Sequence, residues 1–141
     1  MGRRRQAREI ALQALYIIDT SGTAEAEAFA IVNRRDDPAD EKTLEFARSL
    51  VAGAVEFKPA LDKLIEAAAQ NWALVRMAAV DRNVLRLSAY ELLHRRDTPV
   101  NVVIDEAIEI VRKYSTEDST RFINGILDKL KEHRGDGAPE K

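Results

Sequence analysis

Apolar residues return every three or four positions along most of this chain, the period of a helix rather than of a strand. That single regularity confines the chain to helices packed on helices. Ala7, Ile10, Ala11, Ala14, Leu15 and Ile18 share one helical face, so the spacing predicts a core-facing helix over 4–19. Thr20-Ser21-Gly22 should stop it, because hydroxyl side chains compete for backbone hydrogen bonds and glycine takes the left-handed conformation. Thr23 reads as the N-cap of a second helix over 24–35, with Glu25 and Glu27 in its first turn and Arg34 and Arg35 in its last.

Asp36-Asp37-Pro38-Ala39 reads as a loop. Leu44, Ala47, Val51, Ala54 and Val55 then mark a third helix, widened by Phe46, Leu50 and Phe57 until it should touch two neighbours. Lys58-Pro59 ends it and opens a fourth, which carries Leu61, Leu64, Ile65 and Ala68. A fifth, from Ala79 to Leu93, has apolar residues on two adjacent lines and is expected to be central and largely buried. His94, Arg95 and Arg96 follow where cations complement a helix C-terminus, and Asp97-Thr98-Pro99 is the turn. The β-branched run at Val100, Val102, Val103 and Ile104 imitates a strand, but Ala107, Ile108 and Val111 continue it at helical spacing, giving a sixth helix over 102–114. Ser115-Thr116-Glu117-Asp118 is an N-terminal signature for a seventh, with Phe122, Ile123, Ile126, Leu127 and Leu130. The expectation is an all-α fold of about seven helices, one compact domain over 1–134 and a flexible tail over 135–141.

The sequence excludes several kinds of chemistry. With no cysteine and only His94 and His133, thiolate zinc sites, iron–sulfur clusters and histidine-rich metal sites are ruled out. There is no phosphate loop with its lysine, no dinucleotide fingerprint and no nucleophile elbow. Asp105, Glu106 and Glu109 read as solvated first-turn acids rather than a catalytic pair. The chain is therefore not expected to be an enzyme or to need a cofactor. It has neither a membrane-spanning apolar run nor the apolar core of a signal peptide, so a cytoplasmic location is expected.

The net charge of −2 conceals a segregation: Arg3, Arg4, Arg5 and Arg8 stand among the first eight residues without an acid. Guanidinium groups bind phosphate bidentately and stack on bases, which suits single-stranded RNA. Arg4, Arg8, Leu12 and Tyr16 succeed one another at intervals of four, so the basic stripe runs into an aromatic ring. Such a stripe fits nucleic acid or a partner protein; the alternatives are a solvated, frayed terminus with Tyr16 in the core, or a membrane-surface helix. Phe122, beside Arg121 and after Asp118, could stack on a base, while packing in the core is the commoner fate of a phenylalanine.

Four blocks, RRRQAREIALQALY at 3–16, VDRNVLRLSAYELL at 80–93, PVNVVIDEAIEIVRKY at 99–114 and STEDSTRFINGILDKL at 115–130, resemble the bacterial transcription antitermination family NusB, in its order and spacing. Residues 23–72 contribute only length and helical character to this resemblance. It implies two small helical bundles packed on each other. It also implies pairing with a small-subunit ribosomal protein, NusE, binding to the linear boxA RNA element of ribosomal RNA operon leaders, and promotion of processive transcription within the RNA polymerase antitermination complex. By the same resemblance Arg3, Arg4, Arg5 and Arg8, with Asp118, Arg121 and Phe122, contact RNA, while Tyr16 and Asp81 face the ribosomal protein. Asp81 is shorter than the glutamate the family uses there. An exposed apolar stripe on the first helix could instead serve a homodimer. Two other readings stand beside this one: a helical protein-interaction module with an incidental basic arm, and an RNA-binding domain like the N-terminal module of a ribosomal RNA cytosine methyltransferase, without its catalytic domain.

Overall fold

The computed structural model describes residues 2–34 and 38–134. Arg35, Asp36 and Asp37, and the tail expected over 135–141, lie outside the described residues. Among the described residues seven α-helices follow one another: α1 (Arg3–Ser21), α2 (Glu25–Val32), α3 (Glu41–Glu56), α4 (Lys58–Ala68), α5 (Ala79–His94), α6 (Val100–Tyr114) and α7 (Glu117–Leu130). Short 3-10 turns at Leu74–Arg76 and Lys131–His133 complete the path, and no strand occurs among the described residues. No described helix is long and apolar enough to cross a membrane.

Local chemistry sets most of the boundaries. Gly22 ends α1 at φ 70°, in the left-handed region that glycine adopts without strain, and its N–H donates to the Ile18 carbonyl. Asp40 opens α3 by accepting from the Thr43 amide, and Thr116 opens α7 by accepting from that of Ser119. The second helix is shorter than its pattern predicts. Ala24 rather than Thr23 takes the extended N-cap geometry, with no side-chain bond, and the chain leaves the helix at Asn33, a residue that favours turns. Arg34 therefore stands beyond that helix. In the opposite sense, α6 begins two residues early, because Pro99 sits at its N-cap and Val100 continues directly into the helix.

Packing places α1, α2 and α3 together on one side, and α4, α6 and α7 on the other, with α5 touching both groups. One continuous apolar core fills the space, from Ala7, Ile10 and Ala11 of α1 to Ile123, Leu127 and Leu130 of α7. A fully buried Leu or Ile contributes about 1.5–3 kcal/mol by leaving water. Helices α3 and α5 approach closely at Gly53, where an added Cβ would stand 2.1 Å from the Tyr90 ring.

The central helix α5 is buried as expected, yet it carries charge into the interior. Arg82 and Asn83 donate to Asp19 at the end of α1, and Arg86 donates through two nitrogens to Asp62 of α4. At its C-terminus the arrangement differs from the sequence expectation. His94 stacks on Phe57 with ring centroids 4.1 Å apart, and burial pushes its pKa down, against the opposing pull of Glu56. The cation that serves this helix end is Arg134, whose guanidinium donates to the carbonyls of Glu91, Leu92, Arg95 and Thr98. This pins the end of the described chain to the α5–α6 turn.

Candidate nucleic-acid interface

Helix α1 starts with Gly2 as an extended N-cap and has no acid in its first turn, so three consecutive arginines crowd the positive end of a helix dipole. Each cation there costs about 0.3–1 kcal/mol of helix stability unless something else compensates it. The structure supplies a different counterpart for each arginine. Arg3 lies 3.3 Å from Asp40 with both side chains well exposed. Arg4 lays its guanidinium on the Phe46 ring, 3.8 Å from the centroid. Arg5 forms a bidentate pair with Glu106 of α6, at 2.6 and 2.8 Å, and this bond holds the Glu106 carboxyl below its usual range. Arg8 forms a second bidentate pair with Glu91 of α5, at 2.8 and 2.9 Å, fully inside the protein.

Only part of the expected arginine surface is therefore open. Arg3 and Arg4 are exposed, Arg5 is half-buried with its fork occupied, and Arg8 is buried. The position of Arg8 follows from its spacing, four residues beyond Arg4 and one beyond the fully buried Ala7, which turns it toward α5.

Three clefts adjoin one another along this arm. The middle one, about 590 Å³, is lined by Arg4, Arg5, Thr98, Pro99, Val102 and Glu106. Arg5 also lines a second, about 570 Å³, that runs between α6 and α7 past the cations Arg112 and Arg121 and the acids Asp105, Glu109 and Glu117. Arg4 lines a third, about 180 Å³, with Arg3, Lys42 and Phe46. Arg5 thus joins the first two clefts into a single track from the start of α7 to α1, and the third cleft opens beyond Arg4. Arg121, exposed and ion-paired with exposed Asp118, borders this track.

Phe122 does not line it. Its ring is half-buried against the core and meets the exposed Trp72 edge to face, with centroids 6.3 Å apart. Trp72 is presented by a tight reversal after α4, where Gln70 and Asn71 both take left-handed φ values of 57° and 67° and their amides donate back to Ala67 and Glu66. Nothing in the local pattern announced that turn.

The two residues expected to face a protein partner part company. Tyr16 is 42% exposed and borders an apolar groove of about 490 Å³ with Leu12, Ile17, Ile31, Val80 and Tyr114. Asp81 is buried, and both its oxygens are taken, by the Ser115 hydroxyl at 2.8 Å and the Ser119 hydroxyl at 2.6 Å. Its carboxylate clasps the α6–α7 turn to the start of α5 rather than reaching the surface. Sequence reasoning missed Glu91, Phe46 and Lys42, and read Glu106 as a solvated acid. Among the described residues no group of three His, Asp or Glu side chains is placed to hold a metal ion.

Comparison with known proteins follows the same lines. The NusB family model matches residues 5–132. A transcription antitermination protein NusB from Elusimicrobium minutum is 49% identical over 138 residues, 97% of this chain and 99% of that protein. Among solved structures, T. maritima NusB superposes with a TM-score of 0.85 at 39% identity, covering 96% of this chain and 93% of the other. A chain from the crystal structure of antitermination factors NusB and NusE in complex with dsRNA gives 0.83 at 29% identity, covering 92% and 96%.

Proposed function

Because the chain belongs to the NusB family, we propose that it is an RNA-binding transcription antitermination factor, a non-enzymatic adaptor that joins RNA to a NusE-type ribosomal protein. The observation that carries this reading is the track strung on Arg4 and Arg5. It offers a phosphate chain exposed guanidinium groups held in place at one end and cations of α6 and α7 at the other. Affinity comes from those cations through counterion release, and sequence preference from bases splayed against side chains. RNA and NusE accompany a structural neighbour of 29% identity, which supports the same two partners here.

Within this reading the RNA is boxA, a linear element of ribosomal RNA leaders, and the readout is processive transcription by RNA polymerase in the cytoplasm. Arg3, Arg4 and Arg121 meet phosphates directly. Arg5 is the fixed hinge of the track and meets RNA through whatever part of its fork Glu106 releases. Asp118 presents a carboxylate beside the α7 start, and Phe122 with Trp72 offers aromatic surface on the next side of that helix. Arg8 and Asp81 act indirectly: Arg8 fixes α1 on α5, and Asp81 fixes the start of α7. The apolar groove at Tyr16 receives the ribosomal protein. Its low polarity matches a protein surface better than a phosphate chain. A second copy of the chain is the competing occupant, and the oligomeric state with and without the ribosomal protein decides between them.

Fluorescence anisotropy with boxA RNA, a scrambled RNA of equal length and a duplex tests the proposal. Preference for the boxA strand, sharpened by the ribosomal protein, is the expected result. Equal binding of all three leaves a helical interaction module with a basic arm.

A further inference from the structure

We propose that the RNA track does not end on α1 but continues onto the start of α3, where the Arg4–Phe46 stack and Lys42 hold one additional nucleotide regardless of its base. The inference rests on the RNA-binding reading above and adds a subsite to it.

Three guanidinium groups surround the single ring of Phe46: Arg4 at 3.8 Å, Arg95 at 5.3 Å and Arg8 at 5.7 Å from its centroid. The charge of Arg8 is met by Glu91 beneath it. Arg4 and Arg95 have no carboxylate partner among the described residues, and Arg95 donates only to the Ser49 hydroxyl. Lys42 stands exposed on the far side of the small cleft that Arg4 shares with the main one. Asp40, at the N-cap of α3, already serves the Thr43 amide and Arg3, which hold its carboxyl below the usual range. The corner therefore gathers Arg4, Arg95 and Lys42 about one ring and its small cleft.

A guanidinium held over an aromatic ring, as Arg4 is over Phe46, keeps N–H groups available for a further partner. It is also held in one orientation, so less conformational freedom is lost when a ligand arrives. Such a shelf takes a base or a phosphate, with Lys42 as a point charge for the next phosphate. The cleft is continuous with the main track through Arg4 itself, which makes the same strand the fitting occupant. A stacked base commonly adds enough binding for about a five-fold gain or more, and it does so for any base.

The test extends boxA RNA by two uridines at the 5′ end or at the 3′ end and measures the gain over unextended boxA by anisotropy. For the wild-type chain one of the two extensions is expected to tighten binding about five-fold, and the other to have little effect. That gain should vanish in Lys42→Ala and in Phe46→Leu, each compared with its own binding of unextended boxA. No gain from either extension, or a gain that survives both substitutions, overturns the subsite. A loss of ribosomal-protein binding in Lys42→Ala with the RNA gain intact also overturns it, in favour of a protein contact. Failure of the RNA reading itself is distinct, because the wild-type chain would then bind boxA no better than scrambled RNA. Thermal melts by circular dichroism accompany the variants, and exposed Lys42 carries the test alone should Phe46→Leu unfold.

Discussion

Arg8 and Glu91 form a bidentate ion pair with side chains only 6% and 2% exposed, joining the arginine arm to the last turn of the buried helix α5. One of the four arginines that mark the chain as basic is thus a fold element. Arg8→Ala leaves a carboxylate buried without a counter-charge, which costs about 3–5 kcal/mol, whereas replacing both partners with Met is expected to restore much of the loss. Urea denaturation measures both. Undiminished stability in Arg8→Ala with weakened RNA binding would make Arg8 a free phosphate ligand instead.

The second pair has the opposite consequence. Glu106 occupies the Arg5 fork at the junction of two clefts, so RNA phosphates compete with a carboxylate for it. Glu106→Gln should tighten RNA binding at low salt and steepen the salt dependence by about 0.7 of a log unit per decade, the value for one more phosphate on a single strand. The same substitution removes a carboxyl whose pKa lies below its ordinary 4.5 in the folded state. Its stabilisation is complete above that value and is lost as pH falls through the depressed one. The wild-type melting temperature should therefore drop more steeply below about pH 4.5 than that of Glu106→Gln.

His94 supplies a separate titration. Burial against Phe57 lowers its pKa from the usual 6.5, so the folded chain prefers the neutral ring. Stability is complete above pH 6.5 and declines as pH falls through it toward the depressed folded value. His94→Gln should flatten the melting temperature between pH 7 and pH 5. An unchanged slope in His94→Gln would place the titration elsewhere.

Tyr16 is exposed at the rim of the apolar groove, and its neighbours Leu12 and Leu15 already anchor α1. Tyr16→Asp should weaken the complex with the ribosomal protein at least ten-fold, as loss of an aromatic anchor does, with the circular dichroism spectrum unchanged. Isothermal titration calorimetry reads the first and a melt the second. A collapsed spectrum would mean that Tyr16 belongs to the core.

What the sequence disclosed and what it withheld divide along one physical line. Periodicity and capping chemistry are local, so α1 with Gly22, α7 with Thr116 and the buried course of α5 could be read directly. The boundary of α2 moved because Thr23 and Ala24 compete for one cap position and backbone geometry, not residue type, decided it. Pairings between distant residues leave no local trace. Glu91 lies 83 residues from Arg8, and Glu106 101 from Arg5, and neither acid differs in its neighbourhood from a solvated one. The exposure of the arginines, the inward turn of Asp81 and the Phe46 shelf were therefore hidden, although the residue types at the start of α1 already pointed to RNA.

The most direct measurement is the slope of log K against log salt for boxA and for scrambled RNA, with the wild-type chain and with Arg4→Ala combined with Arg5→Ala. The account predicts tighter boxA binding in the wild type, and a slope shallower by about 0.7 in the double variant, because Arg4 meets one single-strand phosphate while Glu106 holds the Arg5 fork. Identical slopes for the two proteins, or no preference for boxA in the wild type, would contradict it.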